Sequence, residues 1–229
     1  MVSVIFPAAG AGRRMGARQN KVLLEISGVP ILLRSLQAFS AVPEVGQLVV
    51  VAAKDEVAFV ERLLAGTKAL KPWCIAVGGS ERQYSIANGI EHLFAACEIV
   101  LVHDAARPLV SRETIEAVIS AAREKGAAIA AVRAKNTIKV VGEDGRVEAT
   151  PSRASLWEVQ TPQGFRKEIL IEANRRADED NFLGTDDASL VERIGPEVFE
   201  KAWRGSEKVR QDTMRQEIVA AATGNVIEE

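Results

Sequence analysis

Cysteine, histidine and long apolar runs are scarce in this sequence of 229 residues. The two cysteines, Cys74 and Cys97, form no Cys-x-x-Cys pair, and no Cys/His cluster has the spacing of a zinc site. We expect both cysteines to be buried thiols in a reducing compartment. No stretch reaches the roughly 18 consecutive apolar residues of a membrane span, and the first apolar run is too short for a signal peptide. These absences predict a cytoplasmic protein without a membrane partner.

The sequence also lacks a large excess of charge of either sign. Its formal net charge is −2, with 26% charged and 47% hydrophobic residues. This balance creates no global field that would attract nucleic acid, so any anion-binding site must be a local group of cations. The composition is that of a globular protein, and we predict a single domain over residues 1–229.

Strand and helix patterns alternate along the first part of the chain. Short apolar runs rich in β-branched residues predict buried strands, and amphipathic patterns predict helices between them. The predicted strands are 2–6, 47–53, 73–77, 98–103 and 127–132. This alternation predicts an α/β fold with a Rossmann-like, mostly parallel, doubly wound sheet.

The pattern changes after Arg133. Residues 136–141 and 146–150 alternate in polarity and flank a glycine-rich turn at 142–145, which predicts a β-hairpin. A two-stranded hairpin is marginally stable by itself, so it needs a partner surface. The hairpin, within an arm at about 134–153, is therefore a candidate dimer arm.

A loop of small residues follows the first strand. Residues 7–15 read PAAGAGRRM, and Lys21 comes shortly afterwards. With almost no side chain in the way, backbone N–H groups can approach an anion closely, and Arg13, Arg14 and Lys21 add positive charge. The loop therefore predicts a highly charged phosphate ligand, such as a triphosphate.

Two familiar phosphate motifs fit this loop poorly. The glycines at 10, 12 and 16 are spaced one residue too far apart for the dinucleotide fingerprint, and no acidic residue closes the second strand. A P-loop needs Lys-Ser or Lys-Thr directly after its last glycine, and this sequence has neither there. Both the NAD and the ATPase interpretations are therefore weak.

Three further motifs follow strands or begin helices. Residues 78–85 read GGSERQYS after the third strand, and Ser80 with Gln83 predicts a capping box. Residues 103–108 read HDAARP, which places Asp104 where doubly wound sheets bind ligands and where Mg²⁺ meets phosphates. The plainer interpretation is that Asp104 caps a turn and Arg107 pairs with it. Residues 185–189 read TDDAS and predict a helix start with Thr185 as N-cap.

The loop at 7–15 followed by Lys21 resembles the signature of the sugar-nucleotide-type nucleotidyltransferases. Within that group it is most similar to the 2-C-methyl-D-erythritol 4-phosphate cytidylyltransferase family of the non-mevalonate isoprenoid pathway. GGSERQYS, HDAARP, the arm from Thr137 to Arg153, and TDDAS with a late lysine, Lys208, follow in the family's order over nearly the full chain. Two departures are Asn20, where the family usually has proline, and the residues around Lys208.

The resemblance implies a nucleotidyltransferase that moves CMP from CTP to 2-C-methyl-D-erythritol 4-phosphate and releases pyrophosphate. The acceptor phosphate would attack the α-phosphorus in line, a reaction in which positioning and charge stabilisation replace a protein nucleophile. The sequence has no Ser-His-Asp or Cys-His arrangement, in keeping with this mechanism. The expected cofactor is Mg²⁺ or another divalent cation, the ligands are CTP and a small polyol phosphate, and the arm would form a homodimer.

The resemblance also implies roles for single residues. The catalytic residues would be Arg14, Lys21, Arg153 and Lys208. The nucleotide-binding residues would be Pro7, Ala8, Ala9, Gly10, Ala11, Gly12, Arg13, Gly78, Gly79, Ser80, Arg82, Ser85, Asp104 and Ala105. The acceptor-binding residues would be Arg107, Thr137, Arg153 and Lys208, and Asp104 would also lie near the metal. His92 and His103 are expected to be structural.

Two alternatives stay open at this point. Ribitol-5-phosphate cytidylyltransferase shares the loop and an HDAAR-type motif, and its acceptor has similar size and charge. An inactive nucleotide-binding relative is suggested by the altered residues around Lys208, although Arg14, Lys21, Asp104 and Arg153 are all present.

Overall fold

A computed structural model of the chain describes residues 1–10 and 20–202. The strands in these ranges are β1 (Val2–Pro7), β2 (Glu25–Ile26), β3 (Val29–Pro30), β4 (Val45–Ala52), β5 (Trp73–Val77), β6 (Ile99–Val102), β7 (Ala127–Arg133), β8 (Val140–Val141), β9 (Val147–Ala149), β10 (Trp157–Arg166) and β11 (Phe199–Ala202). The α-helices are α1 (Ile31–Ser40), α2 (Val57–Ala65), α3 (Arg82–Ile90), α4 (Arg112–Lys125), α5 (Lys167–Glu179) and α6 (Asp187–Arg193).

The central sheet has seven strands in the order β11-β7-β10-β6-β1-β4-β5. Neighbouring strands are parallel except at β10, which runs antiparallel to both β6 and β7. The prediction of a mostly parallel sheet is confirmed. The antiparallel strand was not predicted, because Gln160, Thr161 and Gln163 interrupt its apolar pattern and its pairing with β7 shifts register between Val159 and Gln163.

Helices cover both faces of this sheet, as the doubly wound prediction requires. Along β1, Val4 and Phe6 point into one apolar cluster and Ile5 into the other, because successive side chains of a strand point to opposite faces. The first cluster includes side chains of α1, α2 and α4, and the second includes side chains of α3, α5 and α6. The inner strands β1, β4 and β6 are thus buried on both faces, which leaves the strand ends open to a ligand.

The hairpin predicted after Arg133 is confirmed by the antiparallel pairing of β8 with β9. Gly145, in the turn between these strands, has φ of 80°, which glycine adopts without a steric penalty. Val141 and Val147 face solvent, and each is 53% exposed. Contact between this hairpin and a second subunit stays a prediction.

Two smaller expectations from the sequence can also be compared with the structure. Cys97 is buried as expected, but Cys74 is only partly buried, so the prediction that both thiols are buried is wrong for Cys74. Both cysteines are free thiols.

None of the helices within 1–10 and 20–202 is long and apolar enough to cross a membrane.

Candidate active site

Three of the sequence motifs leave the sheet at the same edge, where β1, β5 and β6 end. Backbone hydrogen bonds hold the first residue of each loop to the adjoining strand: Ala8 N donates to Val51 O at 2.8 Å, Gly78 N to Ala52 O at 2.8 Å, and His103 N to Ile5 O at 3.0 Å. The carboxyl ends of parallel strands meet at one edge, which is where doubly wound sheets bind ligands. The structure therefore brings the three motifs together.

The loop after β5 lies directly against the loop after β1. A Cβ atom added at Gly78 would lie 2.3 Å from the Cβ of Ala9, so only glycine permits this approach. A Cβ at Gly79 would lie 2.5 Å from the Cβ of Tyr84. The result is a wall of backbone and small side chains formed by residues 8–10 and 78–79.

Hydrogen bonds within residues 78–85 differ from the predicted capping box. The N-cap of α3 is Glu81 rather than Ser80, and it has no side-chain capping bond. The Ser85 hydroxyl instead accepts from Gly79 N and donates to Glu81 O, both at 3.0 Å. Ser85 thus holds the glycine loop against the first turn of α3.

The Gln83 side chain contacts a distant loop rather than its own helix N-terminus. Its Nε2 donates to Phe182 O at 3.0 Å, and its Oε1 accepts from Gly184 N at 2.9 Å. The Gln83 amide therefore connects the start of α3 to the segment between α5 and α6. The predicted capping box of Ser80 and Gln83 is wrong, because the Gln83 side chain forms its hydrogen bonds with that segment instead.

Arg82 and Asp187 form an ion pair across the same contact, with 2.7 Å between Nη1 and Oδ2. Asp187 is 1% exposed and Arg82 is 36% exposed. Burial raises the pKa of Asp187, although the positive charge of Arg82 opposes this shift. Arg82, predicted to bind nucleotide, therefore also anchors its own loop to α6.

The helix start at 185–189 was predicted with the wrong cap. Asp186, not Thr185, is the N-cap of α6: its Oδ1 accepts from Ser189 N at 2.9 Å in a capping box. Asp186 Oδ2 also accepts from Gln163 Nε2 of β10 at 2.7 Å. Because Asp186 takes the capping position, the next residue, Asp187, is directed to Arg82.

Asp104 and Arg107 contact each other, as the plainer interpretation of HDAARP expects. Arg107 Nε donates to Asp104 Oδ2 at 2.9 Å, and Arg107 Nη1 donates to Gln160 Oε1. Burial raises the pKa of Asp104, but the charge and hydrogen bond of Arg107, together with the charge of Arg82, outweigh it, so the pKa lies below its ordinary value. Asp104 is thus ionised at neutral pH.

His103 is fully buried beneath these loops. Its Nε2 donates to Arg107 O at 3.0 Å, and its ring lies 4.6 Å from Phe39 and 6.0 Å from Phe6 between centroids. Within the described residues, Nδ1 has no hydrogen-bond partner. Burial lowers the pKa of His103 to about 4, so the ring is neutral and supports the loop, in line with the structural role expected for it.

The chain returns to the end of β1 at Asn20 and Lys21. Lys21 begins a short 3₁₀ turn, Lys21–Leu23, and Asn20 is its N-cap: Asn20 Oδ1 accepts from Val22 N at 3.3 Å. Asn20 Nδ2 donates to Ala8 O at 2.7 Å, next to the wall of small residues. Sequence reasoning noted Asn20 only as a departure from the family, because a single residue type does not reveal its distant partners.

Some predicted site residues lie outside the described ranges, and others lie away from the three loops. Outside the described ranges are Ala11, Gly12, Arg13, Arg14 and Lys208. Thr137 and Arg153 are exposed, and Arg153 Nη1 donates to Lys135 O at 2.8 Å. Among the described residues, no hydrogen bond or ion pair joins Arg153 to the loops at 8–10, 78–85 or 103–107.

The described residues contain no group of three His, Cys, Asp or Glu side chains that could hold a metal ion. Asp104 offers one ionised carboxylate at the sheet edge. Mg²⁺ commonly binds one or two carboxylates and completes its octahedron with substrate phosphates and water. The residues present therefore fit a metal that arrives with a triphosphate rather than one resident in a protein cage.

Comparison with known proteins gives one consistent result. The family model described as 2-C-methyl-D-erythritol 4-phosphate cytidylyltransferase matches residues 2–221. Proteins of that name from Caldanaerobacter subterraneus and Symbiobacterium thermophilum are 43% and 47% identical to the chain. The first match covers 96% of both sequences, and the second covers 89% of this chain and 84% of the relative.

Solved structures agree with the sequence comparison. The 4-diphosphocytidyl-2C-methyl-D-erythritol synthase of Anaerococcus prevotii superposes with a TM-score of 0.81 and 26% identity, over 94% of this chain and 98% of that one. The 2-C-methyl-D-erythritol 4-phosphate cytidylyltransferase of Thermus thermophilus superposes with a TM-score of 0.70 and 29% identity, over 93% and 98%.

The buried ion pair between Arg82 and Asp187 predicts a loss of stability on Asp187→Asn. Removing one partner of a fully buried pair costs about 3–5 kcal/mol, and we expect about 2–3 kcal/mol here because water can still reach Arg82. Urea unfolding measures the change. Asp180→Asn is the matched control: Asp180 also lies 2.7 Å from an arginine, Arg193, but is 50% exposed, so its loss should be below about 1 kcal/mol. Equal losses would contradict the prediction.

Burial of neutral His103 predicts that folding stability falls as pH falls. Above pH 6.5 the ring is neutral in both states. Between pH 6.5 and about 4 the unfolded chain binds a proton that the folded chain excludes, which removes about 3 kcal/mol of stability by pH 4. Urea unfolding of His103→Gln, which retains a donor for Arg107 O, should lack this component. His92→Gln, at the exposed second histidine, is the control and should keep the wild-type profile. An unchanged profile in His103→Gln would refute this account.

Proposed function

The chain belongs to the 2-C-methyl-D-erythritol 4-phosphate cytidylyltransferase family, and on that basis we propose that it converts CTP and 2-C-methyl-D-erythritol 4-phosphate into 4-diphosphocytidyl-2-C-methyl-D-erythritol and pyrophosphate. The structural observation that supports this most is the contact of Gly78 with Ala9, which puts two side-chain-poor loops at one sheet edge. A flat pyrimidine fits such a wall, and backbone N–H and C=O groups can read its edge.

In the proposed reaction an oxygen of the acceptor phosphate attacks the α-phosphorus of CTP. The new P–O bond forms as the bond to the β-phosphate breaks, and pyrophosphate leaves with the electron pair. The attacking oxygen is already anionic, so no protein base or nucleophile is needed, in keeping with the buried, neutral His103. Arg14 and Lys21 stabilise the charge on the α-phosphate and the leaving group, and Arg13 adds a phosphate contact.

The roles of the other site residues are those that the family resemblance implies. Backbone groups of 7–12 and 78–80, with Ser85, would hold the nucleotide, and Asp104 and Ala105 would lie on its ribose side. Arg82 pairs with Asp187 but keeps 36% of its side chain exposed, which supports its proposed contact with the nucleotide. Asp104 would help to hold a Mg²⁺ ion that arrives with the triphosphate, and such an ion would supply neutralisation of phosphate charge. Arg107 orients Asp104 through a hydrogen bond and would contact the acceptor.

The acceptor phosphate would be held by Arg153, Thr137 and Lys208. Arg153 and Thr137 are exposed near the β8–β9 hairpin, and among the described residues no hydrogen bond or ion pair joins them to the three loops, so they suit a site on another subunit. A bidentate arginine orients a phosphate better than a lysine does. We therefore propose a cytoplasmic homodimer joined through the arm at about 134–153, with residues 1–229 forming one domain.

The proposed reaction predicts pyrophosphate release from CTP and Mg²⁺ with 2-C-methyl-D-erythritol 4-phosphate, and none with ribitol 5-phosphate. Lys21→Ala should lower kcat by about 10²–10³-fold, the usual cost of removing a transition-state donor. Lys68→Ala, at an exposed lysine between α2 and β5, is the control and should keep full turnover. Turnover with ribitol 5-phosphate alone would identify the alternative enzyme, and CTP binding without any turnover would identify an inactive relative.

A site shared between subunits predicts complementation. Lys21→Ala and Arg153→Ala should each be nearly inactive, but a refolded mixture should regain roughly a quarter of wild-type activity, because half of the dimers are mixed and each holds one complete site. The control is a mixture of Lys21→Ala with the Lys21→Ala/Arg153→Ala double variant. Every subunit of that mixture lacks Lys21, so it should regain no activity. No recovery in the first mixture would place Arg153 in its own subunit's site.

A further inference from the structure

We propose that Asn20 is a positioning residue that sets the place of Lys21, with Glu56 as its charged partner. The proposal depends on the proposed function, because it concerns how Lys21 comes to face the phosphates. Asn20 is 6% exposed, so its side chain is withdrawn from solvent and from direct contact with a ligand at the surface. Its effect on the reaction would therefore act through Lys21.

Both hydrogens and the oxygen of the Asn20 side-chain amide form hydrogen bonds within the protein. Nδ2 donates one hydrogen to Ala8 O at 2.7 Å and the other to Glu56 Oε2 at 2.8 Å, while Oδ1 accepts from Val22 N at 3.3 Å. Only an amide side chain of this length offers two donors and an acceptor together; aspartate has no donor when ionised, and serine has one.

These bonds join three parts of the chain that meet beside Lys21. Ala8 follows β1, Val22 lies in the turn that Lys21 begins, and Glu56 directly precedes α2. Leu23 N also donates to Asn20 O at 2.9 Å, so the backbone on both sides of Lys21 is fixed. The bond to Glu56 is charge-assisted and partly shielded from water, which makes it stronger than a neutral surface bond.

The place of the Lys21 backbone matters because the lysine side chain is a flexible stem with a point charge at its end. Its charge stabilises the transition state only if the ammonium reaches the phosphates without a large loss of conformational freedom. A misplacement of about 1 Å can lower a rate about 10²-fold. The hydrogen bond from Asn20 to Ala8 O connects the backbone beside Lys21 to the wall formed by residues 8–10 and 78–79. The position of Lys21 is therefore fixed relative to that wall.

The test replaces Asn20 with aspartate, which has the same shape but presents oxygen to Ala8 O and to the Glu56 carboxylate. We expect kcat for Asn20→Asp to fall about 10- to 100-fold, with KM for the acceptor little changed. Adding Glu56→Gln removes the repulsion and supplies a donor to the new carboxylate, so the double variant should recover part of the lost kcat. Glu56→Gln alone loses the charge assistance but keeps an oxygen that can accept from Asn20, so we expect a smaller loss of kcat than for Asn20→Asp.

Asn174→Asp is the matched control. Asn174 is also buried and donates from Nδ2 to a backbone carbonyl, Leu170 O, at 2.9 Å, but it lies in α5 away from the three loops. Thermal unfolding of both variants separates stability from catalysis. If Asn20 only caps a turn, Asn20→Asp will lower the melting temperature but reduce kcat no more than Asn174→Asp does, and that result would overturn the proposal.

Failure of this inference can be told apart from failure of the proposed function. Wild-type turnover that is lost in Lys21→Ala supports the function whatever Asn20 does. Should Asn20→Asp fail to fold, Asn20→Ser keeps one donor and is expected to show a smaller loss of kcat. Wild-type kcat in a folded Asn20→Ser variant, with wild-type KM for CTP, would overturn the role assigned to Asn20.

Discussion

The site depends on one steric constraint, the lack of a side chain at Gly78. Because a Cβ there would lie 2.3 Å from that of Ala9, any other residue would separate the loop after β5 from the loop after β1. These loops end strands that are not adjacent, since β4 lies between β1 and β5. Their contact above β4 turns two separate strand ends into one continuous wall, and the charged groups are arranged around it.

The antiparallel strand β10 supports this wall from the other side. Since β10 runs against its neighbours, its polar middle lies at the carboxyl edge of β6. There Thr161 accepts from Asp104 N, Gln160 accepts from Arg107, and Gln163 binds Asp186. These polar residues weaken the strand signal in the sequence, but they satisfy the buried polar groups of the loops. Acids and arginines then alternate from Arg107 through Asp104 and Arg82 to Asp187, so that each of these four charges lies near one of opposite sign.

Family membership and the contacts of this chain answer different questions. The family accounts for the reaction and the substrate class, whereas the bonds of Asn20 explain how this particular chain holds Lys21. Because Asn20 restricts the backbone through hydrogen bonds, the position of Lys21 depends on Ala8 and Glu56.

The sequence by itself determined the parallel strands, most helices, the hairpin after Arg133 and the chemistry of the motifs, because apolar periodicity, turn residues and motif spacing are local properties of the chain. The capping bond of Ser111 to Thr114 N is such a case, with both partners in one turn. Only the tertiary structure decided the place of β10, the pairing of Arg82 with Asp187, and the distant partners of Gln83 and Asn20. Each of these depends on groups far away in the chain, and local spacing carries no information about which distant strand, donor or acceptor folding will bring within hydrogen-bonding distance.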